Sequence, residues 1–174
     1  MKSETKNRLS RLLLPVLLLG ALAALPATAA ADERPCRGKM GSKTVEDLRV
    51  PQGATCVLTG TKVEGNIEVK RNAVLRARGV QVDGNVHGEN ARQFHVVWSS
   101  HIERDVQVFS GVASEVRDSV IGGNIQFDEN RGALRVVNNT VDGDVQLFEN
   151  QSSAVKKVLG NRIEGNKEDQ CSRL

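Results

Sequence analysis

Carboxylates and side-chain amides recur along this chain with a nearly constant spacing of about twenty residues. They stand one, three or five positions after a valine or isoleucine that opens a short repeated phrase. Carboxylates accept hydrogen bonds and amides both donate and accept them, so columns of these groups suit sugar hydroxyls, cations or a repetitive polymer. The candidate binding residues are Glu64, Asn66, Asp83, Asn85, Glu103, Asp105, Gln107, Asn124, Gln126, Asp142, Asp144 and Gln146.

The same columns also have a purely structural interpretation. Exposed strand faces need polar residues, and stacked amides stabilise repetitive folds by bonding to one another. Spacing alone therefore leaves both interpretations open.

The repeated phrase itself predicts the fold. It opens at Val63, Val82, Ile102, Ile121, Val141 and Ile163, in steps of 19, 20, 19, 20 and 22 residues. A fixed period of this length with alternating apolar residues is typical of a solenoid built from β-strands. We expect an all-β fold, a single right-handed parallel β-helix of about six to seven coils of 19–22 residues.

Several further columns assign faces to the expected coils. Taken as one strand, each phrase points its first, third, fifth and seventh residues inward, which leaves the candidate residues on one flat outward face. Two columns before the phrase are expected to face inward, one apolar and one small or amide-bearing. The apolar column is Leu58, Ala77, Val97, Val116, Val136 and Val158. The polar column is Thr61, Ser100, Ser119, Asn139 and Asn161, and a further corner column is Asn72, Asn90, Asn130 and Asn150.

A second outward stripe is basic. It consists of Arg76, Arg78, Arg117, Arg135 and Lys157, and Trp98 falls in an outward register beside it. Aromatic residues are few, four Phe and one Trp with no Tyr, which argues against a sugar-binding surface. Trp98 has two interpretations, packing on a side corner or marking a contact site.

The N-terminus has the three parts of a secretory signal peptide. A basic region is followed by an apolar stretch over 12–25 and by small residues near a cleavage site, so we expect a signal peptide over 1–31. Residues 1–30 carry four basic and one acidic side chain, and the whole chain has a formal charge of +3. The exported remainder is therefore close to neutral, which gives no support to a nucleic-acid partner. No other segment approaches the length and apolarity of a spanning helix, so we expect no membrane attachment after cleavage.

Three cysteines suit an exported protein. A disulfide between Cys36 and Cys56 would hold an N-terminal cap, expected over 32–44, against the β-helix expected over 45–174. Cys171 is then unpaired or pairs between chains. The scattered cysteines and histidines predict no metal site and no cofactor. Lys167 and Asp169 replace apolar residues in the last phrase, so stacking should stop there.

The coils vary too little in length to build a catalytic cleft. Enzymes of this fold place acids, bases and metal ligands on long loops, and no insertion of that kind interrupts the 19–22-residue period. A polysaccharide-active enzyme is therefore the less favoured interpretation.

The repeat unit resembles a group of small exported bacterial β-helix proteins. The resemblance is carried by the unit V-x-G-N-(I/V)-Q-hydrophobic, the corners at 127–130 and 147–150, and the closing segment 165–171, and it covers residues 45–171. The chain is also similar to bactofilins, which form polymers. The first resemblance implies an exported β-helix fold and supplies no activity. The in-register outward columns and the even coil length favour a non-catalytic binding or structural module in the cell envelope or outside the cell. Its partner would be an envelope polysaccharide or another exported protein. The second implies self-assembly as the alternative.

Overall fold

The chain winds into coils of three short strands in a computed structural model that describes residues 33–151 and 156–171. The first strands are β1 (Arg34–Pro35), β2 (Gly38–Met40), β3 (Thr44–Val45), β4 (Leu48–Val50), β5 (Thr55–Thr59), β6 (Lys62–Val63), β7 (Ile67–Val69), β8 (Val74–Arg78), β9 (Gln81–Val82), β10 (Val86–Glu89) and β11 (Gln93–Val97). The remaining strands are β12 (His101–Ile102), β13 (Val106–Phe109), β14 (Ala113–Arg117), β15 (Val120–Ile121), β16 (Ile125–Asp128), β17 (Leu134–Val137), β18 (Thr140–Val141), β19 (Val145–Phe148), β20 (Lys156–Leu159), β21 (Arg162–Ile163) and β22 (Lys167–Asp169).

Three parallel sheets run along the solenoid. Sheet 1 has eight strands in the order β1-β4-β7-β10-β13-β16-β19-β22, sheet 2 has seven in the order β2-β5-β8-β11-β14-β17-β20, and sheet 3 has seven in the order β3-β6-β9-β12-β15-β18-β21. Each strand pairs with the strand three places further along the chain, so each coil contributes one strand to each sheet. This topology confirms the predicted all-β solenoid, with seven coils and one additional strand.

The core is a set of apolar columns at the centre of the coils. Sheet 1 buries residues such as Ile67, Val86 and Val106, and sheet 3 buries Val82 and Ile102 in the same way. Alternate residues of each strand point inward, and parallel pairing places equivalent residues of successive coils next to one another. Burial of these stacked side chains from water is the main stabilising contribution in such a fold.

The repeated phrase is not one flat strand. Its first residue ends a strand of sheet 3, a bend follows, and its last residues form a strand of sheet 1. Glycine stands at this bend because the coils approach closely there. A Cβ atom added at Gly84 would lie 2.5 Å from the carbonyl oxygen of Gly65 in the preceding coil. The expectation of one flat face carrying all three polar columns is therefore wrong.

The predicted inward column contains one error of register. Val96, not Val97, pairs with Ala77 and Val116 in that column, whereas Val97 pairs with Arg78 and Arg117 on the outward side of sheet 2. The corner between β11 and β12 has three residues, one more than the corresponding corners of the two neighbouring coils. Counting back a fixed number of residues from Ile102 therefore reaches Val97 instead of Val96.

The predicted asparagine corner divides into two kinds of position. Asn72 and Asn90 adopt left-handed backbone conformations, with φ of 58° and 52°. Asn130 and Asn150 are buried instead, and in their coils Glu129 and Glu149 take the left-handed position. The first pair therefore shapes turns, and the second pair forms internal hydrogen bonds.

The N-terminal cap is itself a coil of the solenoid. β1, β2 and β3 pair in register with β4, β5 and β6, so residues 34–45 continue the three sheets. A disulfide joins Cys36 to Cys56, as predicted. The expected signal peptide over 1–31 lies outside the described residues. Within the described part, no helix is long and apolar enough to cross a membrane.

The last coil covers the other end of the core. Cys171 is buried and forms no disulfide, and its Sγ lies 2.7 Å from the Val145 carbonyl oxygen and 2.8 Å from that of Glu168. Burial raises the pKa of this thiol, opposed by the backbone hydrogen bond at Glu168. Lys167 and Asp169 are exposed in β22, in register with buried residues of the preceding strand.

Candidate functional site

The bend separates the twelve candidate residues into three columns with different environments. One residue after the opening of the phrase lie exposed carboxylates at the corner between sheets 3 and 1: Glu64, Asp83, Glu103 and Asp142. Three residues after it lie the amides and carboxylates of the bend itself: Asn66, Asn85, Asp105, Asn124 and Asp144. Five residues after it, on the outward face of sheet 1, lie Gln107, Gln126 and Gln146.

The bend column is a structural ladder. The backbone N–H of Asn85 donates to Asn66 Oδ1 at 2.9 Å, and that of Asp105 donates to Asn85 Oδ1 at 3.1 Å. In the following coils the backbone N–H of Asn124 donates to Asp105 Oδ1 at 2.7 Å, and that of Asp144 donates to Asn124 Oδ1 at 2.8 Å. These side chains hold successive coils together, so the structural interpretation explains this column.

The corner carboxylates are partly paired with neighbouring basic groups. Lys62 Nζ lies 3.4 Å from carboxylate oxygens of both Glu64 and Asp83. The hydrogen bond that Lys62 donates to Asp83 raises the pKa of Lys62, and the charge of Asp83 and the interaction with Glu64 raise it further. His101 Nε2 lies 2.9 Å from Glu103 Oε1. Because these pairs are exposed, they add little stability and do not form a desolvated acid or base.

The glutamine column remains available to a ligand. Gln107, Gln126 and Gln146 lie in register on adjacent strands and are half-buried. Gln107 Nε2 donates to Gln126 Oε1 at 3.4 Å, and Gln146 Nε2 donates to Glu168 Oε2 at 2.8 Å. Each amide has two N–H groups and an oxygen with two lone pairs, so one bond along the column leaves further capacity facing outward.

Two phenylalanines border the glutamine column. Phe109 and Phe148 each follow a glutamine of the column by two residues, which places their rings on the same face, and both are half-buried. They occupy one column with Asp128 between them, so they stand two coils apart, roughly 10 Å at the strand spacing of a sheet. The ring of Phe109 also contacts His87, with ring centroids 5.4 Å apart.

Sequence analysis missed these rings because it weighed aromatic content and not position. The repeated order glutamine–apolar–phenylalanine at 107–109 and 146–148 carries the signal, since residues two apart in a strand share a face. The two rings weaken the argument from low aromatic content against a sugar-binding surface.

Towards the N-terminal end of the solenoid, a shallow depression on this face is lined by Asn66, Glu68, Asn85, His87, Asp105 and Gln107.

Among the described residues, no group of three or more His, Cys, Asp or Glu side chains is arranged to hold a metal ion. No protein family, no curated protein and no solved structure matches this chain.

Proposed function

We propose that this protein is an exported, non-catalytic β-helix that binds an envelope polysaccharide through the outward face of sheet 1. The observation that carries the proposal is the column of Gln107, Gln126 and Gln146 with Phe109 and Phe148 beside it. Side-chain amides exchange hydrogen bonds with sugar hydroxyls, and the apolar faces of phenylalanine rings pack against the C–H faces of sugar rings.

The repeat of the protein suits a ligand that also repeats. The glutamines are spaced by one coil and the phenylalanines by two, and the longer distance is comparable to a disaccharide unit. A glycan chain lying along the solenoid axis would therefore meet equivalent groups at successive coils. A repetitive polymer gains from such a face because each additional contact is made without a new cost of association.

A binding role fits the chemistry of the face better than a catalytic one. Glutamine amides neither accept nor release protons at ordinary pH, so the column offers no general acid or base. The disulfide between Cys36 and Cys56 indicates an oxidising environment, which supports a location outside the cytoplasm together with the signal-like N-terminal sequence.

The first test is co-sedimentation of the purified protein with peptidoglycan sacculi as the probe. Replacing Gln107, Gln126 and Gln146 together by alanine should weaken binding at least about tenfold, because three neutral hydrogen-bonding side chains are removed. The matched control replaces Thr55, Thr59 and Gln81 by alanine, which are exposed neutral side chains on sheets 2 and 3, and should bind like the original protein. A tube without sacculi measures self-pelleting.

Two results would overturn this proposal. In the first, the original protein stays in the supernatant when sacculi are present, and this polysaccharide is then not the ligand. The other is equal loss of binding in both triple variants, which would assign binding to the surface in general and not to the glutamine column.

A further inference from the structure

Trp98 occupies a backbone conformation that bulky residues rarely adopt. It lies at the corner between β11 and β12 with φ of 57°, and its side chain is 49% exposed. The equivalent corner residue is glycine in three other coils, Gly60, Gly79 and Gly160. Glycine enters the left-handed region at no steric cost, whereas a large side chain there is strained and persists only where the surroundings hold it.

The same corner contains the additional residue that shifts the register. Ser99 follows Trp98 with φ of 57°, so two consecutive non-glycine residues are left-handed here. The corners that follow β5, β8, β14, β17 and β20 each have a single left-handed residue. Neither feature improves core packing, because the ring of Trp98 faces outward. Conformational strain that displays a side chain to solvent points to a role outside the fold.

Two arginines hold the indole ring. The guanidinium carbon of Arg78 lies 4.6 Å from the ring centroid, and that of Arg117 lies 5.9 Å from it. These distances are within the range of cation–π contacts. The Arg117 guanidinium also donates to Glu115 at 3.2 Å and to Asp118 at 3.0 Å, so its charge is neutralised locally and its role is to position the ring.

Arg78 differs from Arg117 in having no carboxylate partner within the described residues. Its guanidinium retains outward-facing N–H donors beside an exposed aromatic ring. Arg76 and Arg135 add positive charge on the same outward face of sheet 2, and Glu115 opposes it. The combination is a flat apolar ring, a fork of donors suited to a carboxylate, and a positive surrounding field.

We infer that Trp98 and Arg78 form a second binding site, which takes an acidic sugar residue of the uronic acid class. The sugar ring stacks on the exposed part of the indole, and its carboxylate accepts hydrogen bonds from the Arg78 guanidinium. A bare phosphate would pair with the arginine but would make no use of the displayed ring. This site lies on a different face from the glutamine column and does not depend on it.

The chain provides its own reporter for this inference. Trp98 is the only tryptophan and there is no tyrosine, so the intrinsic tryptophan fluorescence comes from the proposed site alone. We would titrate the purified protein with oligogalacturonate, and with cellohexaose and inorganic polyphosphate in parallel. Oligogalacturonate should give a saturable change in fluorescence that weakens as salt rises, because exposed charges are screened. Cellohexaose lacks the carboxylate and polyphosphate lacks the sugar ring, so both should give smaller responses.

Three variants separate binding from folding. Arg78→Gln should weaken the oligogalacturonate response about ten- to a hundredfold, because hydrogen bonds to a charged group are lost. Arg131→Gln, an exposed arginine at another corner, should leave it unchanged. Trp98→Gly should raise the melting temperature by relieving the strained backbone and should abolish binding measured by isothermal titration calorimetry.

Three results would overturn the inference: no fluorescence change with oligogalacturonate, a response of equal strength to cellohexaose or polyphosphate, or unchanged binding by Arg78→Gln. A Trp98→Gly protein that is less stable than the original would assign the ring a structural role instead. Failure here leaves the glutamine column untouched, because that column is tested with sacculi and a separate set of variants.

Discussion

At the scale of single residues, the fold alters the acid–base chemistry of His95. It lies half-buried on the outward side of sheet 2, between Arg76 and Glu115 on the adjacent strands. Burial lowers its pKa below the ordinary value of 6.5, and Arg76, Arg135 and Arg78 lower it further, whereas the charge of Glu115 opposes the shift. The folded protein therefore disfavours the protonated imidazole.

This shift predicts a loss of stability on mild acidification. Below about pH 6.5 the unfolded chain binds a proton at His95 that the folded protein takes up only at lower pH, so the free energy of unfolding should fall as pH decreases through that range. Urea denaturation at several pH values measures this change in the free energy of unfolding. His95→Gln should flatten this part of the profile. An unchanged profile in His95→Gln would contradict the prediction.

Residue type and spacing did not separate the two kinds of amide on this surface. Asn85 and Gln107 both belong to columns that repeat with the coil period. The asparagine side chain is shorter by one methylene, and from the bend its oxygen accepts a hydrogen bond from the backbone of the next coil. Glutamine on a flat strand of sheet 1 bonds only to its side-chain neighbours. The difference depends on where the bend falls within the phrase, and the alternation of apolar residues continues through that bend without a break.

At the scale of the repeating element, buried asparagines link successive coils from inside the solenoid. Asn130 donates to the Val108 carbonyl oxygen at 3.1 Å and to Asn150 Oδ1 at 2.9 Å, and it accepts from the Gly111 N–H at 2.8 Å. All three bonds lie inside the solenoid, where an unpaired polar group has no water to replace the lost partner.

Asn130→Ala should lower the free energy of unfolding by about 2–5 kcal/mol, because it removes these bonds and leaves buried backbone groups unpaired. The matched control is Asn138→Gly, which changes an exposed asparagine with φ of 56° to the residue that best tolerates that conformation. The control should change stability by less than about 1 kcal/mol. Equal losses in urea denaturation of the two variants would show that burial of the amide does not determine its contribution.

The repeat period predicted the elements well and their exact register less well. The period predicted the parallel solenoid and the inward apolar columns, because one residue of each coil must face the core at each position. A single additional residue at Trp98 and Ser99 was enough to shift Val97 to the outward side. Nothing in the apolar pattern marks an insertion placed in a corner, since Val96 and Val97 are the same residue type.

At the scale of the whole molecule, both ends of the solenoid carry features that oppose further stacking. At the N-terminal end Pro35 lies in the outermost strand of sheet 1 and has no backbone N–H to donate to another strand. At the other end Lys167 and Asp169 are exposed in the outermost strand, at positions that are apolar in the preceding coil. Burying these charges against a second copy would be costly.

Self-assembly, the alternative function, has one feature in its favour. The corner carboxylates and the arginines of sheet 2 lie on different sides of the solenoid and carry opposite charge. Contacts between such faces would be side by side and would weaken as salt rises, because they depend on exposed charges. Stacking end to end would instead be insensitive to salt, since it depends on backbone pairing and apolar burial.

The purified protein should therefore remain monomeric at high salt in sedimentation velocity experiments, and replacing the lysine of the last strand should change that. Lys167→Val gives β22 an apolar residue in register with Val145 of the preceding strand, so we expect salt-resistant association through the exposed end. Arg92→Val removes a positive charge from the side of the solenoid and should stay monomeric. Salt-resistant polymers of the original protein would show that the charged last strand does not end the stack, and would favour self-assembly over polysaccharide binding.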